Sequence, residues 1–164
     1  MASSESSFDV VSEFDRQELV NAIDQAEREL RTRYDLKDTK SEIRLEKDAI
    51  VIAAPADITA NSVRDLLESK MVRRNLSLKI LKIGDIEPAA GGTVRQTLTL
   101  QQGISQELAK DISKAIRDTH PKAKAQIQGD AVRVTSKSKD ELQDIIATLR
   151  AKDYPVPLQF TNRR

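Results

Sequence analysis

The apolar residues of this chain change their period in a fixed order, and that order runs through twice. Phe8-Asp9-Val10-Val11 alternates as a short extended segment, after which Leu19, Ile23, Ala26 and Leu30 fall at helical spacing as far as about Thr32. Asp15, with Glu18 three residues on, has capping-box spacing and predicts where that helix starts. Ile43 and Leu45, then Ile50 and Ile52, alternate on either side of Lys47-Asp48, which predicts two strands joined by a tight connection. Val63, Leu66, Leu67 and Met71 form a second helical stripe with Thr59 as its cap, and Leu76, Leu78 and Ile80 lead a strand over 76–83.

The second pass has the same order. A strand over 94–100 precedes a helix opened by Ser105 and carrying Leu108, Ile112 and Ile116. Segments 123–128 and 131–135 read as a hairpin across Gly129-Asp130. Ser138 and Glu141 repeat the capping-box spacing ahead of Leu142, Ile145, Ile146 and Leu149, and Val156, Leu158 and Phe160 alternate in a last strand. Between the two passes, 84–92 contains Pro88 and Gly91-Gly92 and little apolar content, the natural seam.

Each pass reads β-α-β-β-α-β. The predicted fold is therefore α+β: two ferredoxin-like domains, each an antiparallel sheet covered on one face by two helices. The domains are expected at 1–88, with a short disordered N-terminal tail, and at 89–164. Periodicity does not decide which sheet the first and last strands join, so the terminal strands are free to exchange or to pair with each other.

With 164 residues and no cysteine, each half must be held by apolar packing near the lower size limit for an unaided core. The absence of cysteine fits a reducing compartment. Residues 1–7 carry no basic start and no apolar run, and the longest apolar stretch is far too short to span a membrane. The expectation is a cytoplasmic, soluble protein. Its charge is uneven when cut at the seam: 14 basic and 18 acidic residues over 1–88 (net −4), against 13 and 8 over 89–164 (net +5). A basic second half would draw phosphates by its field.

Catalytic signals are missing. Nucleophilic chemistry needs a nucleophile, a base within reach and an orienting group. Here the serines cluster at Ser3, Ser4, Ser6 and Ser7, in the expected tail, and paired acids such as Asp24 and Glu27 share a helix face with Arg28 and Arg31. His120 is the only histidine and reads as a solvated loop residue before Pro121, so no metal site and no cofactor are expected. Gly91-Gly92 precedes a strand rather than a helix, which is a linker pattern and not a phosphate loop. The five aromatic residues avoid the middle of both internal hairpins, so neither sheet is a base-stacking platform.

The outward positions of the second hairpin are the candidate binding residues. If Ala125, Ile127, Val132 and Val134 face the helices, then Lys124, Gln126, Gln128 and Arg133 face away, and Arg95, Thr97 and Thr99 do the same on a neighbouring strand. Arginine offers a planar fork for phosphate or a guanine edge, and glutamine both donates and accepts. A polar face that simply meets water is the plain alternative.

Several runs carry a resemblance: Phe8-Asp9-Val10-Val11-Ser12-Glu13, Thr93-Val94-Arg95-Gln96, Gln102-Gly103-Ile104, Ala125-Gln126-Ile127-Gln128-Gly129-Asp130 continued by Val132-Arg133-Val134-Thr135, and Gln159-Phe160-Thr161-Asn162. Over essentially all of 7–164 the chain resembles the YajQ family of bacterial nucleotide-binding proteins. The resemblance implies two ferredoxin-like domains, no enzymatic activity, and binding of nucleotide or nucleic acid, some members being regarded as receptors for cyclic di-GMP. Two places depart from the family pattern. Tyr34-Asp35-Leu36-Lys37-Asp38 stands where Phe-Asp-Phe-Lys-Gly is common, and Gly92 stands where a lysine is usual, removing one positive charge beside Arg95.

The expected function is reversible, non-catalytic binding of cyclic di-GMP, a related guanine nucleotide or a short RNA between the domains. Arg95, Arg133 and Lys124 would neutralise phosphate, and Gln126 or Gln128 would meet base edges. A protein-interaction adaptor working with a transcription factor and a non-specific RNA-binding protein are the alternatives.

Overall fold

The computed structural model describes residues 5–164. The expected tail over 1–4, with Ser3 and Ser4, lies outside them; Ser6 and Ser7 do not belong to a tail but begin the first strand. In chain order the elements are β1 (Ser6–Val11), α1 (Arg16–Thr32), β2 (Glu42–Leu45), β3 (Ala49–Ala54), α2 (Asp57–Arg73), β4 (Leu81–Pro88), β5 (Val94–Leu100), α3 (Gln106–Thr119), β6 (Lys124–Gln128), β7 (Ala131–Ser136), α4 (Lys139–Ala151) and β8 (Gln159–Thr161). The fold is α+β, with two four-stranded antiparallel sheets and four helices.

Three helix starts follow from their caps. The Asp15 carboxylate accepts from the Gln17 and Glu18 amides, Ser105 Oγ from Leu108 and Ser138 Oγ from Glu141, each satisfying amides that the first turn leaves free. The fourth differs from expectation. α2 begins two residues before Thr59 at Asp57, behind Ala56, which offers no side-chain cap. The strand expected over 76–83 is also displaced. Ser77 caps a single 3-10 turn at Leu78–Ile80, and extended pairing begins only at Leu81.

The division between the units is where the structure corrects the sequence reading. Residues 14–101 form one compact unit, and residues 5–13 with 102–164 form the other. The seam over 84–92 is no linker between domains: it lies in the β4–β5 hairpin, within one sheet ordered β2-β3-β5-β4. Gly91 and Gly92 take positive φ of 71° and 75° there, and Ala89 N donates to Thr93 O at 2.8 Å. So short a connection folds β5 back beside β4, and β5 then fills the central place next to β3, a place the sequence left undecided.

β1 completes the other sheet, ordered β6-β7-β1-β8, where it pairs antiparallel with both β7 and β8. The two chain ends meet in this sheet: Ser7 N donates to Arg164 O and Arg164 N to Ser7 O, at 3.1 and 2.9 Å. Exchanging β1 and β5 between the two passes gives each sheet the ferredoxin-like strand order. One unit is interrupted after its first strand, and the other receives its first strand last.

Each unit has its own core. In the 14–101 unit, Leu19, Ile50, Ile52, Leu67, Met71 and Leu98 are almost fully buried between sheet and helices. Leu36 is also buried there, so the departure from phenylalanine at that position keeps an apolar group inside. In the second unit Phe8, Val10, Ile112, Ile116, Val132, Val134 and Ile145 play the same part. Phe8 and Phe160 meet edge to face at 5.8 Å on the helix side.

The charge asymmetry does not survive the corrected division. The 14–101 unit holds 15 basic and 15 acidic residues, and the second unit 12 and 11. Neither unit carries the net +5 from which a long-range phosphate field was expected.

The strand exchange sets which fragments fold. Residues 14–101 expressed alone should unfold cooperatively in urea by circular dichroism, since every strand of their sheet is present. Residues 1–88 lack β5 and the buried Leu98, and should show no cooperative transition.

Candidate functional site

In the second unit α3 and α4 cover one face of the sheet, and the opposite face is polar. The register sets Gln126, Arg133, Asp9 and Thr161 in one row across the four strands. Lys124, Thr135 and Ser7 form the adjacent row on one side, and Gln128 lies opposite Ala131 on the other. Val132 and Val134 are buried on the helix side, as the alternation requires, whereas Ile127, on the edge strand, remains 36% exposed. Lys124, Gln126 and Gln128 are exposed. Four of the five expected binding residues therefore share this face.

Arg95 does not join them. It lies on β5 in the other unit, exposed, between Ala53 and Glu87 in the ladder. Thr97 and Thr99 are exposed on that same strand, so they too belong to the other sheet. Alternation tells which face a side chain takes but not which sheet its strand enters, and the sequence grouping of Arg95 with Arg133 failed on that point.

Arg133 is engaged rather than free. Its Nε donates to Asp9 Oδ1 at 2.9 Å and its Nη2 to Asp9 Oδ2 at 3.3 Å, and Asn162 Nδ2 reaches Oδ2 at 2.8 Å. Asp9 is only 7% exposed. The Arg133 hydrogen bond holds its carboxyl below the usual carboxylate range; burial opposes this, and Asn162 and Arg164 assist. Two of the five guanidinium N–H groups are spent on this fork. The pair is locally neutral, so Arg133 is a weaker phosphate anchor than a lone cation and a better fixed donor to a neutral acceptor.

Asp9 and Asn162 were missed in the sequence. The available signal was the acid Asp9 between the apolar Phe8 and Val10, with Asn162 near the other end of the chain; in the structure Asn162 takes a positive φ of 53°. Behind the hairpin turn, Gly103 approaches closely. Its φ is +84°, and a Cβ there would lie 2.9 Å from Asp130 Oδ2. Gly103 N donates to Ser12 O, and Ile104 N to Asp130 O, which fixes the Gly129-Asp130 turn against the segment leading into α3.

His120 is also corrected. It is 9% exposed, with Nδ1 2.8 Å from Thr119 Oγ1 and Nε2 2.6 Å from Asp144 Oδ2, and so ties the end of α3 to α4. Asp144 is itself open to solvent. This is a structural clasp.

Two depressions among the described residues bear on the site. One, of about 620 Å3, runs between α1 and α2, where Lys70 pairs with Glu29 at 3.0 Å and Arg74 with Glu18 at 3.1 Å, so much of its charge is already matched. The other, of about 540 Å3, lies at the Lys124 end of the polar sheet face. Among the described residues, no group of three or more histidine, aspartate and glutamate side chains stands together to hold a metal, and no helix is long and apolar enough to cross a membrane.

Compared with known proteins, residues 6–164 match the family model described as nucleotide-binding protein YajQ-like. A nucleotide-binding protein of Trichodesmium erythraeum is 56% identical over 161 residues, covering 98% of this chain and 99% of its own. Similarly named proteins of Trichormus variabilis and Roseiflexus castenholzii are 55% and 54% identical, covering 96% and 98% of this chain and 97% and 98% of theirs.

The Asp9 fork has a pH signature. A carboxyl held below its unfolded value contributes stability that is fully present above that unfolded value, about 3.9, and is lost as pH falls through the lower folded value. Asp9→Asn should destabilise the protein by about 1–3 kcal/mol at neutral pH. It should also flatten the loss of stability below about pH 4. Urea unfolding of both proteins from pH 7 to pH 3 measures the difference.

Proposed function

Because the chain belongs to the family of YajQ-like nucleotide-binding proteins, we propose that it binds a guanine-containing nucleotide, without catalysis, on the open face of the β6-β7-β1-β8 sheet. The observation that carries this reading is the row of Gln126, Arg133 and Asp9 with Lys124 beside it: exposed amides and a cation grouped around an arginine already held in place. A guanidinium clipped on one edge by Asp9 loses little freedom when its remaining N–H groups meet a ligand. Since its charge is balanced, those donors suit the neutral O6 and N7 acceptors of guanine better than a phosphate.

Gln126 and Gln128 supply donors and acceptors on the same strand and face, about 7 Å apart. Lys124 is the cation left to meet phosphate. Phe8 and Phe160 are committed to the helix side, so the base would be read through its edge rather than stacked on the sheet. Cyclic di-GMP and GTP both fit this chemistry. Short RNA is less well served, because neither unit has the basic excess that general backbone binding uses. A role with a transcription factor would follow only as a consequence of the bound nucleotide.

Calorimetric titration with cyclic di-GMP, GTP, ATP and a short RNA ranks the ligands. Guanine nucleotides should saturate at a defined stoichiometry and bind more tightly than ATP. Gln126→Ala, at an exposed position, should weaken that binding roughly tenfold with the melting temperature unchanged. No heat with either guanine ligand at high micromolar protein would remove the proposal.

A further inference from the structure

The depression at the Lys124 end of the sheet is built unlike the rest of the surface. Its lining includes Lys122, Lys124 and Lys137 together with Thr135, Ser136 and Ser138. Among the described residues none of the three lysines makes an ion pair or a side-chain hydrogen bond, whereas Lys70, Lys114, Arg74 and Arg133 elsewhere each have a carboxylate within 3.5 Å. Three like charges around one recess repel one another, and their grouping is relieved by an anion.

The hairpin register explains how they come together. Lys124 lies opposite Thr135 at the open end of the hairpin, and Lys122 and Lys137 lie two residues beyond that pair, one on each side. Lys124 thus opens β6, with Lys122 just before that strand and Lys137 just after β7.

Acids also border the recess, and they decide what it can take. Glu141 accepts a hydrogen bond from Ser136 Oγ at 2.6 Å, and Ser136 Oγ accepts one from Ser138 N at 3.0 Å. Glu141, in the first turn of α4, is therefore held to Ser136 through one of its two oxygens. Glu5 has a partner of its own as well. Lysine is a compact point charge with donors that swing to suit, a match for the oxygens of a phosphate rather than for a planar carboxylate fork. A volume of about 540 Å3 exceeds what a lone ion needs and falls within the range of small-ligand sites.

We propose that this recess is a phosphate seat: Lys122, Lys124 and Lys137 hold the phosphate of a nucleotide whose base lies on the adjoining sheet face. The ligand class rests on the nucleotide reading above, and the recess adds the place of the phosphate. It also assigns Lys122 and Lys137 a role that the outward alternation of the strands did not reveal. Lys124 belongs to both regions, at the start of β6 with Gln126 two residues along the same face.

The test compares the native chain with a variant carrying Lys122→Gln and Lys137→Gln, both exposed changes that leave Lys124 and the sheet row intact. Guanosine 5′-monophosphate and guanosine are titrated calorimetrically, and inorganic phosphate is titrated with the amide NMR signals of Lys137, Ser138 and Glu141 as readout. The variant should bind the monophosphate at least tenfold more weakly and guanosine unchanged, and phosphate should shift those three signals in the native chain only.

If the variant binds the monophosphate as tightly as the native chain does, the seat is overturned while the sheet-face reading stands. If phosphate shifts the three signals but neither guanine ligand binds, the seat stands as an inorganic phosphate site and the nucleotide reading falls. If neither phosphate nor monophosphate moves them, the seat is overturned.

Discussion

Each sheet depends on one interior strand, which in one unit comes from the far start of the chain and in the other is folded back by a short hairpin. β1 lies between β7 and β8, and β5 lies between β3 and β4. These are interior strands, hydrogen-bonded on both sides, and a ferredoxin-like sheet without its interior strand has no continuous core face. Everything else in the fold is arranged around those two placements: the helices pack on faces that exist only once β1 and β5 are in position. The polar face that carries the candidate site likewise runs across β1, through Asp9.

The same arrangement joins stability to the site. Asp9 stands on the completing strand, Arg133 on β7 and Asn162 just after β8, so one carboxylate fastens three separate stretches of chain on the open face. The arginine nearest the proposed base is therefore also part of what holds the sheet. Its loss would confuse binding with folding, whereas Gln126 and the lysines at the hairpin end can be changed without touching that fastening.

Most of the element order was legible because helices and strands have different apolar periods and because Asp15, Ser105 and Ser138 mark their own helix starts. The side assignment of Lys124, Gln126, Gln128 and Arg133 was legible for the same reason. Strand partnership was not. Period two is satisfied equally well in either sheet, so Arg95 was grouped with residues of the other unit, and a cut at residue 88 produced a charge contrast that the real units lack. The deciding information lay in the shortness of the link over 89–93, which makes β4 and β5 a hairpin. Burial of His120 was hidden too, since its partner Asp144 is 24 residues away on another helix.

The interrupted unit has a consequence for synthesis on the ribosome. β1 emerges first, yet its contacts with β7 span 124 residues, as the Asp9–Arg133 pair shows. At about 5–20 residues per second, β1 would wait roughly 6–25 s for that neighbour. In the interval Phe8 and Val10 have no core to enter and both ladder edges are open, a state that invites pairing with other chains. The 14–101 unit can close within that time, so nascent protein would pass through a stage with one finished unit and one dangling strand. That strand is the segment a chaperone would most usefully shield.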